Sequence, residues 1–114
     1  FEISITPTEY HRLKGFTTDK IVYVETVRLD TLIKYMGLGK VDLVKMDIEG
    51  TEHPILTDKS LDLQGVRTMI VEVHYSYGSD ESKEIISALR ERGFHTLPIR
   101  PLAPYSWHLY AVRA

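Results

Sequence analysis

Charged side chains gather in the segment KMDIEGTE, residues 45–52, at the end of a short apolar run. Side chains two residues apart on a strand point to the same face, so Lys45, Asp47 and Glu49 fall on one side. Asp47 ends the run beside Gly50 and the start of a predicted helix, whose free N–H groups would favour an ionised carboxylate. These features suit a general base or a metal ligand, and they also suit a carboxylate that caps the helix.

A second group of polar side chains, Glu72 and His74, ends another apolar run. Both would lie on one strand face, where His74 could act as a ligand, an acid–base group or a hydrogen-bonded residue of the rim. Glu72 could also neutralise Lys45 in a structural ion pair if the two strands are neighbours. Glu49 and Glu52 have the simpler alternative of favouring the positive end of a helix. The residues alone leave these alternatives open.

The apolar patterning predicts the strands that would position these groups. Short apolar runs predict buried strands over residues 41–48 and 69–73, the first of them covered on both faces. Residues 94–99 and 107–112 are typical of two strands in a terminal antiparallel pair. Two strand–helix units followed by a hairpin predict an α/β sheet, mostly parallel with an antiparallel edge. Ligands of such sheets lie beyond the carboxyl ends of the strands, where both polar groups are found.

Helices are predicted between these strands. Asp30 is placed to cap a brief helix that ends near Gly37. Thr51 can cap a second helix after the acidic segment. Ser79 or Asp80 opens the most regular helix, which carries an apolar stripe on one face.

Composition narrows the classes of function. The chain has 114 residues, which is enough for one domain or part of one, and its opening residue, Phe1, indicates a segment of a longer polypeptide. A formal net charge of -2 without a basic stripe argues against nucleic acid as a partner, and no apolar run approaches the roughly 20 residues of a membrane helix. The absence of cysteine fits a reducing cytoplasm. No G-x-S-x-G, P-loop or G-x-G-x-x-G motif supports a hydrolase or a kinase.

Three blocks of sequence resemble the FkbM family of S-adenosylmethionine-dependent methyltransferases: TVRLDTLI at residues 26–33, VDLVKMDIEGTE at 41–52 and IVEVH at 70–74. The similarity covers roughly residues 22–95. It implies a Rossmann-like class I methyltransferase sheet, of which residues 1–114 form the C-terminal part, strands four to seven, preceded by a strand and a loop. The glycine-rich cofactor loop and the ribose-binding acidic residue of the family have no counterpart in the chain, so we expect the isolated chain to bind S-adenosylmethionine weakly and to be inactive alone.

The resemblance further implies transfer of a methyl group to a hydroxyl of a small-molecule acceptor, such as a sugar or a polyketide. Asp47 would contact the cofactor near the transferring methyl, and catalytic roles are assigned to Asp47, Glu49, Glu72 and His74; no metal ligand is assigned. Two alternatives remain. One is a non-catalytic interaction module in which Lys45, Asp47 and Glu72 form a structural charge network. The other is a metal-dependent α/β enzyme that uses the four assigned residues as ligands.

Overall fold

The computed structural model of the chain describes residues 2–4, 23–99 and 106–113. The described strands are β1 (Glu2–Ser4), β2 (Val24–Thr26), β3 (Val41–Met46), β4 (Val66–Val73), β5 (Phe94–Ile99) and β6 (Trp107–Arg113). The described helices are α1 (Leu29–Tyr35), α2 (Glu52–Leu56) and α3 (Asp80–Glu91). Among these helices, none has the length and apolar content needed to span a bilayer.

Four strands form one mixed sheet in the order β3-β4-β6-β5, and β1 pairs with β2 in a separate antiparallel ribbon. β3 and β4 are parallel neighbours, whereas β6 lies antiparallel to both β4 and β5. The prediction of an α/β fold with a terminal antiparallel pair is therefore confirmed. The described sheet is not mostly parallel, because β6 returns between β4 and β5 and makes two of the three pairings antiparallel.

The core lies on one face of this sheet. Alternate residues of β4 and β6 are buried there, as the two-residue period of a strand requires: Met69, Val71, Val73, Trp107, Leu109 and Ala111. Ile85 and Leu89 from α3 belong to the same cluster, and both are fully buried. Because burying such a side chain is worth roughly 1.5–3 kcal/mol, this face supplies the main driving force for folding.

The other face is more open. On β3, Val44 and Met46 pack on the core, but Leu43 is 52% exposed and Lys45 is also exposed. The prediction that β3 is covered on both faces is therefore wrong for the part of the chain that the structure describes. A continuous apolar run indicates burial on both faces, but it does not supply the elements that would cover the second one.

Helix ends follow the sequence signals at α3 and depart from them elsewhere. The Ser79 hydroxyl accepts a hydrogen bond from the Ser82 backbone N–H at 3.2 Å, which confirms the predicted cap. α1 begins before Asp30, so that this carboxylate lies in the first turn instead of capping the helix. Thr51 occupies the N-cap position of α2, but its hydroxyl donates to the Ile48 carbonyl at 3.0 Å and caps nothing.

Candidate functional site

The predicted site residues meet at the carboxyl ends of β3 and β4. Because these strands are parallel neighbours, with Met46 opposite Val71, Asp47 leaves β3 at the same edge where Glu72 approaches the end of β4. His74 follows immediately after β4. The topology therefore brings together two groups that are more than 20 residues apart in the sequence.

An imidazole lies at the centre of this group. Nε2 of His74 is 3.6 Å from Asp47 Oδ1, 3.6 Å from Glu49 Oε2 and 3.9 Å from Glu72 Oε1. These separations are too long for direct hydrogen bonds, which span about 2.7–3.2 Å. We call Asp47, Glu49, Glu72 and His74 the strand-end cluster. All four residues with a predicted catalytic role belong to it.

The cluster has a dry side and a wet side. The His74 side chain is only 16% exposed, whereas that of Glu49 is 68% exposed. Asp47 and Glu72 lie between these limits. A small molecule that enters from solvent would therefore meet the carboxylates first and the imidazole last.

Glu52, the first residue of α2, holds His74 from the buried side. Its side chain has no exposed surface, and its Oε1 accepts hydrogen bonds from the His74 backbone N–H at 2.5 Å and from His74 Nδ1 at 3.1 Å. Oε2 accepts a third bond, from the Gly50 backbone N–H at 3.0 Å. One carboxylate therefore joins the turn after β3 to the end of β4 and orients the imidazole.

The sequence predicts for Glu52 the role of favouring a helix terminus, and it does not predict the contact with His74. A usable signal was present. Residues four apart share one face of a helix, and the residue four places after Glu52 is the apolar Leu56. Both side chains are fully buried. An acidic residue on the apolar face of a short helix indicates a carboxylate that is bonded inside the protein.

The turn between β3 and α2 has an unusual backbone. Glu49 has φ 53°, and Gly50 has φ 102°. A non-glycine residue pays about 1–2 kcal/mol for the left-handed region, so contacts must hold the turn. The Tyr75 hydroxyl donates to the Gly50 carbonyl at 2.5 Å, and Glu52 accepts from the N–H of the same glycine. This turn brings the carboxylate of Glu49 to the imidazole.

Aromatic side chains support the end of β4. Trp107 is 1% exposed, and its indole N–H donates to the Tyr75 carbonyl at 2.7 Å. Tyr77 meets the indole edge-on, with the ring centroids 5.1 Å apart, and remains half-exposed. Burial is the main reason that the pKa of Tyr75 is raised, and the negative charges of Glu52 and Glu81 raise it further. Trp107 is thus a packing residue, while Tyr77 leaves an aromatic surface open to solvent.

The site is strongly negative. Four carboxylates surround one imidazole, and within the described residues no lysine or arginine forms an ion pair with any of them. The predicted ion pair between Lys45 and Glu72 is absent from the described structure, and Lys45 is exposed to solvent. In the observed register Lys45 pairs with Ile70, two residues short of Glu72. The charge network of the interaction-module alternative therefore lacks its cation.

Three members of the cluster also have the spacing of a metal site. One ligand atom each from Asp47, Glu72 and His74 lies within 4.8 Å of the others. A divalent ion at about 2.0–2.6 Å from each atom is compatible with such separations. The alternative of a metal-dependent enzyme thus retains a geometric basis, and chelation can test it.

A comparison with known protein families shows to which family the chain belongs. The methyltransferase FkbM domain matches residues 2–96, most of the chain. The chain belongs to the FkbM methyltransferase family. No curated protein and no solved structure is significantly similar to it.

Membership in the FkbM methyltransferase family confirms the resemblance found over residues 22–95. The matched range contains the whole strand-end cluster and Glu52. The geometry described above therefore belongs to the FkbM domain itself, and β6, which begins at Trp107, packs against it from beyond the matched range.

Proposed function

We propose that the protein transfers the methyl group of S-adenosylmethionine to a hydroxyl oxygen of a small molecule such as a sugar or a polyketide. Family membership supplies the methyl transfer. The observation that supports the rest is the strand-end cluster, a negative site at the carboxyl edge of parallel strands, where ligands of α/β sheets bind.

The charge of the site fits this cofactor. When bound, S-adenosylmethionine supplies an activated methyl group on a positively charged sulfonium. Opposite charges attract more strongly at a partly desolvated surface than in bulk water, so uncompensated carboxylates favour a cationic ligand. Asp47 lies where β3 ends, and we assign it the contact with the cofactor near the transferring methyl.

The chemistry left to the protein is modest. The acceptor oxygen must be aligned with the methyl group, and its proton must be removed as the new bond forms. The strand-end cluster offers two kinds of proton acceptor, the Asp47 carboxylate and Nε2 of His74. Asp47 is 39% exposed and His74 is 16% exposed, so an incoming hydroxyl would meet the Asp47 carboxylate first and Nε2 of His74 behind it.

The test is formation of S-adenosylhomocysteine by the intact protein with a panel of polyhydroxylated acceptors. By the intact protein we mean residues 1–114 together with any residues that precede or follow them in the natural polypeptide. We expect Asp47→Asn to lower the rate by about 100-fold, the scale of losing a charge beside the reacting groups, with an unchanged circular dichroism spectrum. Asp58→Asn is the matched control, because Asp58 is an exposed aspartate outside the cluster, and it should leave the rate unchanged. Normal turnover by Asp47→Asn would remove this residue from the mechanism.

A further inference from the structure

Glu52 is costly to bury. Removing a carboxylate from water costs several kcal/mol unless hydrogen bonds replace the lost solvent. Glu52 is 0% exposed, and the three N–H groups that compensate it come from only two residues, Gly50 and His74. An apolar side chain beside Leu56 would fill the same place, but the backbone N–H groups of Gly50 and His74 would lose their acceptor. The carboxylate therefore ties the turn to the end of β4, and its third bond reaches the imidazole.

The bond to the imidazole sets the tautomer of the ring. A carboxylate offers only lone pairs, so the nitrogen that bonds to it, Nδ1 of His74, must carry the hydrogen. In the neutral ring the other nitrogen, Nε2, then presents a lone pair. Nε2 is the atom that faces Asp47, Glu49 and Glu72 across 3.6–3.9 Å. Glu52 thus selects the tautomer and also aims the acceptor lone pair at the site.

We infer that Glu52 is a positioning residue, which holds His74 so that Nε2 takes the proton of the acceptor hydroxyl during methyl transfer. The inference rests on the proposed function for the source of that proton. The hold of Glu52 on His74 stands on geometry alone. His74, which would touch the substrate, is the catalytic residue.

The spacing leaves room for the hydroxyl. Nε2 of His74 and Oδ1 of Asp47 are 3.6 Å apart, too far for a hydrogen bond between them, so Nε2 can accept one from a hydroxyl oxygen at about 2.8 Å. The hydroxyl has a single proton, and we assign it to Nε2, whose lone pair is fixed by the bond from Nδ1 to Glu52. Asp47 then stands beside the nitrogen on which positive charge develops.

The step balances in atoms and charge. The O–H bond breaks and the Nε2–H bond forms, while the S–CH3 bond breaks and the O–CH3 bond forms. The positive charge of the sulfonium ends on the imidazolium, and neutral S-adenosylhomocysteine leaves. Glu52 stabilises this imidazolium at Nδ1, and Asp47, Glu49 and Glu72 stabilise it at Nε2. His74 then returns the proton to water on the wet side of the cluster.

The first test reads the tautomer directly. In the intact protein labelled with 15N-histidine, long-range 1H–15N spectra distinguish the two neutral tautomers of each imidazole. We expect His74 to be protonated at Nδ1, and we expect this preference to be lost in Glu52→Leu, which offers no acceptor for that hydrogen. Glutamine does not serve for this measurement, because its amide oxygen can take the place of Oε1 and keep both bonds from His74 while its NH2 meets the Gly50 N–H. An Nε2–H tautomer in the unmodified protein would overturn the inference.

The second test reads catalysis. Glu52→Gln should lower kcat by about 100-fold while the KM for S-adenosylmethionine changes by less than about threefold, because the interaction acts on the transition state. Glu84→Gln is the matched control, since Glu84 also bonds a histidine, His53 Nε2 at 2.6 Å, but lies outside the cluster. It should leave kcat unchanged. A folded Glu52→Gln protein with normal kcat would refute the positioning role.

A third variant covers the case in which Glu52→Gln fails to fold. His74→Ala keeps the bonds of Glu52 to the backbone and removes only the ring. Its rate should fall by about 100-fold and should recover when imidazole is added to the solution. Lack of recovery in a folded protein would contradict the role of His74 as proton acceptor. If the unmodified protein methylates no hydroxyl, the proposed function fails, whereas the tautomer measurement still decides the role of Glu52.

Discussion

The carboxylate of Asp30 accepts four hydrogen bonds, and its removal provides a quantitative test of the fold. The side chain is 10% exposed. It accepts hydrogen bonds from Nε and a terminal nitrogen of Arg28, both at 3.0 Å, and from the backbone N–H groups of Thr31 and Asp62, both at 2.9 Å. The last bond joins the start of α1 to the loop before β4, 32 residues away.

The cost of Asp30→Ala can be worked out from these contacts. Each of the two backbone N–H groups loses a bond to a charged acceptor, which is worth about 1.5 kcal/mol. The ion pair adds little, because solvent screens Arg28, whose side chain is 43% exposed. We therefore expect the free energy of unfolding to fall by about 3 kcal/mol, which corresponds to a drop in Tm of roughly 15 °C for a domain of this size.

Urea unfolding of the intact protein, followed by circular dichroism, measures this change. Asp58→Ala is the control, because Asp58 bonds the same Arg28 at 3.2 Å but is 41% exposed. Asp58 also accepts bonds from the Ser60 backbone N–H at 2.9 Å and the Ser60 hydroxyl at 2.7 Å, which water can replace at this exposed position, so Asp58→Ala should cost clearly less than Asp30→Ala. If Asp30→Ala cost no more than Asp58→Ala, the assignment of Asp30 as the tie between α1 and the loop would be wrong.

Three further predictions concern pH, packing and metal ions. The bonds from Arg28 hold the pKa of Asp30 well below its usual range, so the stability that Asp30 contributes is present above about pH 4 and is lost as the pH falls further. Unfolding curves of the unmodified protein should show this loss, and those of Asp30→Ala should lack it. A Cβ at Gly65 would lie 2.8 Å from the Gly39 carbonyl oxygen, so Gly65→Ala should lower the free energy of unfolding by about 1–3 kcal/mol in the same assay. Gly39→Ala is the control, because a Cβ there would meet nothing within 4 Å, and it should not cause a loss of this size. Because Nε2 of His74 is assigned to the proton, removal of divalent ions with a chelator should leave methyl transfer unchanged; activity lost on chelation and restored by Mg²⁺ or Zn²⁺ would favour the metal-dependent alternative.

Elements with strong local signals were predictable from the sequence. β5 has the predicted bounds, and α3 begins after the predicted Ser79 cap and ends before Gly93, whose φ is 89°. In both cases the residues that set the boundary are neighbours in the chain. Local sequence is therefore enough to predict where these two elements begin and end.

Features that depend on distant partners were not predictable in this way. Asp30 has the type and place of a helix cap, yet it is taken up by Arg28 and the Asp62 N–H. Lys45 is predicted to pair with Glu72 if β3 and β4 are neighbours, and the two strands are neighbours. The register and the open face instead leave Lys45 in solvent. Such outcomes follow from tertiary contacts that no local pattern contains.

The site residues also fall into those that could be predicted from the sequence and one that depends on tertiary packing. Asp47, Glu49, Glu72 and His74 could be predicted to meet, because parallel neighbouring strands end at one edge of a sheet. Their catalytic roles stay predictions. Glu52 was assigned to the helix terminus, because the burial of its side chain depends on how α2 packs against the end of β4. The residue that orients the imidazole was therefore the one that sequence reasoning did not find.

Methyl transfer to a hydroxyl oxygen at the strand-end cluster can be observed directly. The intact protein is incubated with 13C-methyl-labelled S-adenosylmethionine and the acceptor panel, and the products are examined by 13C NMR. We expect a labelled methoxy group on the acceptor, formed by the unmodified protein and Asp58→Asn and strongly reduced in Asp47→Asn and His74→Ala. A label found on nitrogen or carbon, or methoxy formation that is undiminished in both cluster variants, would contradict the account.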